Sequence, residues 1–548
     1  MYSEFALFLI INFPANSPEL VIPLYIAEFI VFHIFKIDLS ISIDELFFSS
    51  FNLTTSYSAD WPEWGGDGHN NMASSAKGIP LEMEPGKRKK GTEDIDLSTT
   101  KNVKWVAKIG SQSYGTPTIA EGKVLIGTNN ESPRDAQHEG DRGIIMCFDE
   151  KDGSFLWQLV IPKLGAGKVS DWEYLGVCSS PLIHKGRAYF VSNRCKIVCV
   201  DMEGMANGND GPYKDEAKFM MTGGKTFKPG KGDGDIIWVY DMREELGVFP
   251  HNIASSSPKI VDGKLVVTTS NGVDWSHLNV PAPQAPCLIL LDLATGELVG
   301  EEASKIGGRT MHCNWSSPMV AKVDGKPTIY FGAGDGYLYS FDPKAKEDDE
   351  GFLVMPENWR VDGNLPEYRK DKDGKKIKYA TFEGPSEYIS SPVYHEGNVI
   401  SLIGQDPEHG EGVGRMMSVN AKTGKLNWDY TEIERGISTA SIADGLVYAA
   451  DYRGRVHCVD VKTGKKAWVY DTKSHIWGST LVADGKVFIG NEDGEVVILK
   501  TGRKMEKIGL VEFSAPVYAS PVIANGVLYI ASQTHLYAFK EGGKTASK

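Results

Sequence analysis

His251, His312 and His475 stand seven, six and five residues ahead of the same position in three copies of a repeated unit. Imidazoles delivered by different copies of a repeat can share one ligand, and three of them can meet a zinc ion. Their neighbours are Asn252, Asn314 with Trp315, and Trp477, while the equivalent stretches of other copies read Asp171-Trp172-Glu173-Tyr174, Glu387-Tyr388 and Glu434-Arg435. Longer segments between them add Glu131, Arg134, Asp135, His138, Asp274, Trp275, His277, Asp406, Glu408, His409 and Glu411. Six of the twelve His fall in these segments, which concentrates imidazole beside indole and carboxylate. Such a mixture suits a planar polar ligand, a sugar or a peptide. The plainer reading is that the Trp residues fill a central hole and the charges solvate long loops.

What must position these residues is a unit of about forty residues, seen most plainly in two successive copies over 436–500. Each copy has short runs rich in Val, Ile, Tyr and Phe separated by Ala-Asp-Gly, then Arg-Gly or Asp-Gly, then Lys-Thr-Gly turns. Such runs are half-buried strands joined by tight hairpins, so the unit is a four-stranded meander. A lone meander cannot bury both faces, and copies must cover one another. The first-hairpin glycine recurs eight times, at Gly122, Gly186, Gly263, Gly325, Gly397, Gly445, Gly485 and Gly526. A Thr-Pro or Ser-Pro precedes six of them, where proline suits a strand end. A second signature, Asp/Asn-x-x-x-Gly-x-x-x-Trp, occupies 149–157, 420–428 and 460–468; at the Trp offset, copy three has Gly300 and copy seven Ile508.

The eighth copy stops at Phe539 without a fourth strand, whereas residues 102–106 have the strand pattern and Trp105 but no partners of their own. The N-terminal strand is therefore expected to close the last sheet, leaving no raw edge. The fold class predicted is all-β: an eight-bladed β-propeller over residues 102–541, preceded by a lead-in segment 59–101. Strand parity separates its two faces. The swollen loops 129–142, 271–286 and 405–415, and the long links before copies two, four and five, all fall at one end; the insertion 202–235 falls at the other. The elaborated end is the expected binding face.

Residues 1–58 lack Gly and carry no Lys or Arg before Lys36. They are read as an export segment with a cleavage site near Ser56-Tyr57-Ser58, preceded by forty-odd residues that fit an over-extended start, the alternatives being a membrane anchor or a cytoplasmic protein with a disordered tail. Export implies a periplasmic or secreted protein, touching the membrane only through the N-terminal segment if it is retained. A net charge of −14 argues against nucleic acid as a partner. Among seven cysteines, Cys147, Cys199 and Cys458 recur at one place in the repeat and read as small core residues. No Cys-x-x-Cys or Cys-x-x-Cys-His occurs, so there is no zinc-ribbon or c-type haem signal.

The Ser-Pro entry, Asp-Gly turn and Asp-x-x-Thr-Gly-x-x-x-Trp exit resemble the pyrroloquinoline quinone (PQQ)-type propeller repeat. That repeat is shared by quinoprotein alcohol dehydrogenases and by the propeller lipoprotein of the outer-membrane barrel assembly machinery. The opening Trp61-Pro62-Glu63-Trp64-Gly65-Gly66-Asp67 is similar to the lead-in of secreted members. Two activities follow from the resemblance. One is a binding propeller taking a small molecule, glycan or envelope protein on its loop face and funnel. The other is a PQQ-dependent oxidoreductase of the alcohol or sugar dehydrogenase kind, although the chain has no Cys-Cys pair. In the second case the resemblance implies Trp172, Trp315 or Trp477 as the floor for PQQ and Asp171 or Asp406 as the base. Glu173 with Asn252 or Asn314 would then hold Ca²⁺. The residues proposed to line the site are Trp172, Glu173, His251, Asn252, His312, Asn314, Trp315, Arg435, His475 and Trp477. A hydrolase or lyase using His-bound metal is the remaining class.

Overall fold

The glycine-punctuated runs form eight four-stranded antiparallel sheets in a computed structural model that describes residues 59–66, 68–165, 167–221 and 225–543. The expected export segment, its cleavage site and residues 544–548 lie outside the described residues. Blade 1 is representative: Thr118–Ala120, Lys123–Asn129, Arg142–Asp149 and Phe155–Pro162 pair in chain order. Blade 8 consists of Val522–Ala524, Val527–Ala531 and His535–Phe539, and Val103–Lys108 pairs antiparallel with the last of these, Trp105 lying opposite Ala538. Alternate residues of this closing strand are buried, as a sheet covered on one face requires. The eight-bladed propeller is thus closed by its N-terminal strand.

The Trp signature is a latch between neighbouring blades. The Nε1 of Trp105, Trp157, Trp359, Trp428 and Trp468 donates to a carbonyl of the next blade, on Glu150, Met202, Ala421, Val461 and Gly502 respectively, at 2.8–3.1 Å. For Trp105, Trp359 and Trp428 the indole lies over the next blade's turn glycine, where a Cβ would fall 2.6–2.8 Å from the ring (Gly153, Gly424 and Gly464). The Asp or Asn that begins each signature caps the same turn, as Asp460 does by accepting from the backbone N–H of Lys462 and Thr463. Cys147, Cys199 and Cys458 sit opposite Trp157, Trp238 and Trp468 in the ladder and are buried. In blade 7 the ladder places Gly509, not Ile508, opposite Ile498, and Leu81 of the lead-in packs there.

A second departure from expectation lies outside blade 4. Between its third strand, Tyr337–Phe341, and fourth strand, Glu357–Asp362, the chain forms a hairpin, Lys346–Glu347 with Leu353–Met355, that extends the sheet of blade 3. The lead-in segment also has a specific course: residues 59–66 and 68–74 meet the blades in order. Ala59 and Asp60 bond Asn525 of blade 8, Trp61 pairs with Ile119 of blade 1, and the Pro62 carbonyl accepts from Ile183 N–H of blade 2. Lys259 of blade 3 donates to the Trp64 carbonyl and lies 3.5 Å from Glu63. Asn70 then donates to the carbonyls of Pro318 and Pro392 of blades 4 and 5, each at 3.1 Å, and Asn71 pairs with Ile442 of blade 6. Ala73–Ser74 finally runs parallel to the innermost strand of blade 7. Trp64 is thereby brought into the lining of the central cavity.

Candidate functional site

Each link descends from the elaborated face and enters its blade through a Ser or Thr directly before the innermost strand. Thr116, Ser180, Ser257, Ser317, Ser391, Thr439, Ser479 and Ser520 all line one axial cavity of about 320 Å³. Six steps of this belt are closed by a backbone N–H donating to the next blade's hydroxyl: Ser180 to Ser257, Ser257 to Ser317, Ser391 to Thr439, Thr439 to Ser479, Ser479 to Ser520 and Ser520 to Thr116, at 2.8–3.1 Å. The hydroxyls satisfy buried amides near the axis, where no sheet partner is available.

Above the belt the wall is aromatic. Trp477 stacks on Tyr518 with ring centroids 5.1 Å apart, and Tyr114 meets Trp477 edge-on at 5.6 Å. Across the cavity Trp315 is held by its Nε1 donating to the Ile253 carbonyl at 2.8 Å. The Trp172 N–H donates to the Asn252 carbonyl, and the Asn252 amide donates to Asp406 at 3.1 Å. Asp406 and Glu408 also line the cavity, and no Lys or Arg does so among the described residues.

Behind Trp315 lies a nest of imidazoles. His251 comes from the link into blade 3, His277 from the 271–286 loop, His312 from the link into blade 4, and His409 from the enlarged loop of blade 5. The ring centroids of His251 and His312 are 4.3 Å apart, those of His251 and His277 4.9 Å, and those of His277 and His312 5.0 Å. His409 and Trp315 each lie 5.1 Å from His312. His251 Nδ1 lies 2.6 Å from the Val273 carbonyl, which requires Nδ1 to carry the proton and leaves Nε2 with its lone pair. That Nε2 and both nitrogens of His312 are buried and have no hydrogen-bond partner. Burial drives His251 down to about 3 and His312 and His409 to about 4, so all three are neutral at physiological pH. Fully buried Glu387 accepts from Cys313 N–H and the Tyr379 hydroxyl, lies 3.5 Å from His312 Nδ1, and is itself pushed well above the usual carboxyl range by burial.

With this geometry in view, comparison with known proteins becomes specific. A PQQ-type family model described as outer membrane protein assembly factor BamB matches residues 368–545. The chain is an eight-bladed propeller, and the PQQ-type match covers its last third. BamB from Moraxella catarrhalis has the same fold at 13% identity and TM-score 0.51, covering 79% of this chain and 98% of that one. A europium-containing methanol dehydrogenase aligns at 11% identity and TM-score 0.55, covering 88% of this chain and 98% of that one. No curated protein sequence matches the chain.

In this propeller the residues singled out by sequence fall into separate places. His251, His312 and Trp315 are brought together, and Trp172, Asn252, Trp315 and Trp477 share the axial cavity. His475 is elsewhere: it stacks on Tyr452 at 4.5 Å and pairs with Glu492 at 3.1 Å, in a cleft with Glu411 and Arg453. Arg435 is buried and donates to the carbonyls of Thr381, Phe382, His409 and Glu411, clamping the loop that carries Asp406 and His409. Its burial lowers it to about 10, so it stays charged.

The Ca²⁺ and quinone set implied by the resemblance does not assemble. Asn314 spends its amide on the Asn271 carbonyl and Thr310, and its carbonyl on Gly334 N–H; Glu173 is exposed and pairs with Lys168. Asp171 is buried against Lys163, Asn193 and Leu164 N–H, a structural arrangement. With Asp406 and Glu408 on its wall and no Lys or Arg among the described residues that line it, the cavity does not fit a polycarboxylate quinone. Sequence reasoning missed the hydroxyl belt, having credited the Ser-Pro pairs to proline alone. It also missed Tyr114, Tyr379 and Tyr518, which no repeat signature marks.

Proposed function

We propose that this chain is an exported binding propeller whose axial cavity takes a neutral, hydroxyl-rich ring compound such as the end of a glycan. The observation that carries this reading is the stacked Trp477–Tyr518 pair set over a belt of hydroxyls, with two carboxylates and no Lys or Arg among the described residues on the lining. Flat aromatic faces pack against the C–H face of a sugar ring, while hydroxyls and carboxylates exchange hydrogen bonds with its O–H groups. An anionic ligand would meet Asp406 and Glu408 without compensation. The export reading is supported by the character of residues 1–58 and by the likeness to an outer membrane assembly factor.

The test is calorimetric titration with a panel of neutral and acidic oligosaccharides, repeated on Trp477→Ala. Loss of the stacked face is expected to weaken a neutral binder about three- to tenfold, since such contacts contribute about 0.5–1.5 kcal/mol. Preference for acidic compounds, or affinity unchanged in both Trp477→Ala and Trp315→Ala, would remove the reading. A protein partner on the same face is favoured by one observation: Trp275 and Leu278 at the tip of the 271–286 loop are 64% and 83% exposed. Site-specific photo-crosslinking from position 278 in the native envelope tests it, and the absence of any adduct there argues against it.

A further inference from the structure

We propose that His251, His277 and His312 form a binding site for one divalent first-row transition-metal ion of the zinc type, beside the mouth of the axial cavity. One ring nitrogen of each lies within 4.8 Å of one of each of the other two. Tetrahedral coordination with metal–nitrogen bonds of about 2.0–2.1 Å needs these atoms roughly 3.3 Å apart, so the site must contract by about an ångström or a little more. His277 can supply that movement, being exposed on a loop, whereas His251 and His312 are fixed within the wall.

Three features distinguish this nest from histidines that merely pack. First, the three side chains come from three chain segments and present nitrogens toward one another with no protein acceptor or donor between them. A buried polar atom without a partner costs about 1–3 kcal/mol, and this nest holds several, which a bound cation would convert to ligands. Second, the support has the form seen around metals. His251 is locked by Nδ1–H to the Val273 carbonyl with Nε2 free, and the buried Glu387 carboxyl stands 3.5 Å from His312 Nδ1, within reach of the N–H that a metal on Nε2 would leave there. Third, the fourth position is flanked by His409, which lies 5.1 Å from His312 on a loop held by Arg435. Imidazole donors select zinc, copper, nickel or cobalt over calcium or magnesium. This inference does not depend on what the cavity binds.

The experiment is metal analysis of full-length protein after equilibrium dialysis against Zn²⁺, with Co²⁺ used as an optical probe. The expected result is one Zn²⁺ per chain, and a visible Co²⁺ band of tetrahedral intensity that Zn²⁺ displaces. His277→Ala alters an exposed side chain and is expected to leave the circular dichroism spectrum unchanged while abolishing the Co²⁺ band. His475→Ala, in the separate cleft, should leave both unchanged. Sub-stoichiometric Zn²⁺, a Co²⁺ spectrum of hydrated ion only, or a band that survives in both His277→Ala and His312→Ala would overturn the proposal.

Discussion

Ring closure depends on the contact between Trp105 and Gly153, and the structure lets the cost of breaking it be worked out. Trp105 is 3% exposed, donates its Nε1 to the Glu150 carbonyl at 3.1 Å, and packs 5.8 Å from Tyr529. Trp105→Ala should cost about 3–5 kcal/mol, a typical loss for a buried aromatic, of which the hydrogen bond supplies about 1. Gly153 has φ of +71°, and a Cβ there would lie 2.6 Å from the Trp105 ring. Gly153→Ala should therefore cost about 1–2 kcal/mol for the left-handed backbone plus a steric term that exists only while the indole is present. The double variant lacks that term, which Gly153→Ala alone incurs. The two effects should consequently fall short of additive by at least about 1 kcal/mol. Urea denaturation followed by far-ultraviolet circular dichroism on the four proteins of the cycle measures this. Strict additivity, or a Trp105→Ala midpoint equal to that of the parent, would refute the latch.

Other expectations follow from the same geometry. Asn70→Ala removes two hydrogen bonds that tie the lead-in to blades 4 and 5 and should destabilise the protein by about 1–3 kcal/mol in the same assay. Burial lifts Glu302 from 4.5 to about 7, so the folded state holds a proton that the unfolded chain has released. Stability from this group is full below pH 4.5 and falls by about 3 kcal/mol as pH rises to 7, a slope that should be missing in Glu302→Gln. Arg435→Ala leaves four carbonyl contacts unmade; amide hydrogen exchange in the 405–415 loop should rise while that of the blade strands stays as it was.

The repeat itself carried the architecture. Turn glycines, strand-length apolar runs and a stranded N-terminal fragment are local properties, and a periodic signal repeated eight times averages out single departures such as Gly300. Even the closing strand was legible, because a sheet short of one strand has only one free fragment to recruit. The lead-in path around the base and the hairpin lent to blade 3 were not legible: the first rests on hydrogen bonds to residues as far as 322 positions away, and the second on a short parallel pairing of Glu301 and Glu302 with Val354 and Met355, outside the repeat. The same division holds at the site. Sequence parity placed the chemistry-bearing loops on one face, but which imidazoles meet depends on the rotation between blades and on loop conformation. His251, His277 and His312 belong to neighbouring blades 3 and 4 and converge, while His475 lies on blade 7 and stacks on Tyr452 instead. Copy number and spacing within a repeat set a residue's blade and its height along the axis; only tertiary structure sets the course of the link or loop that decides which side chains meet.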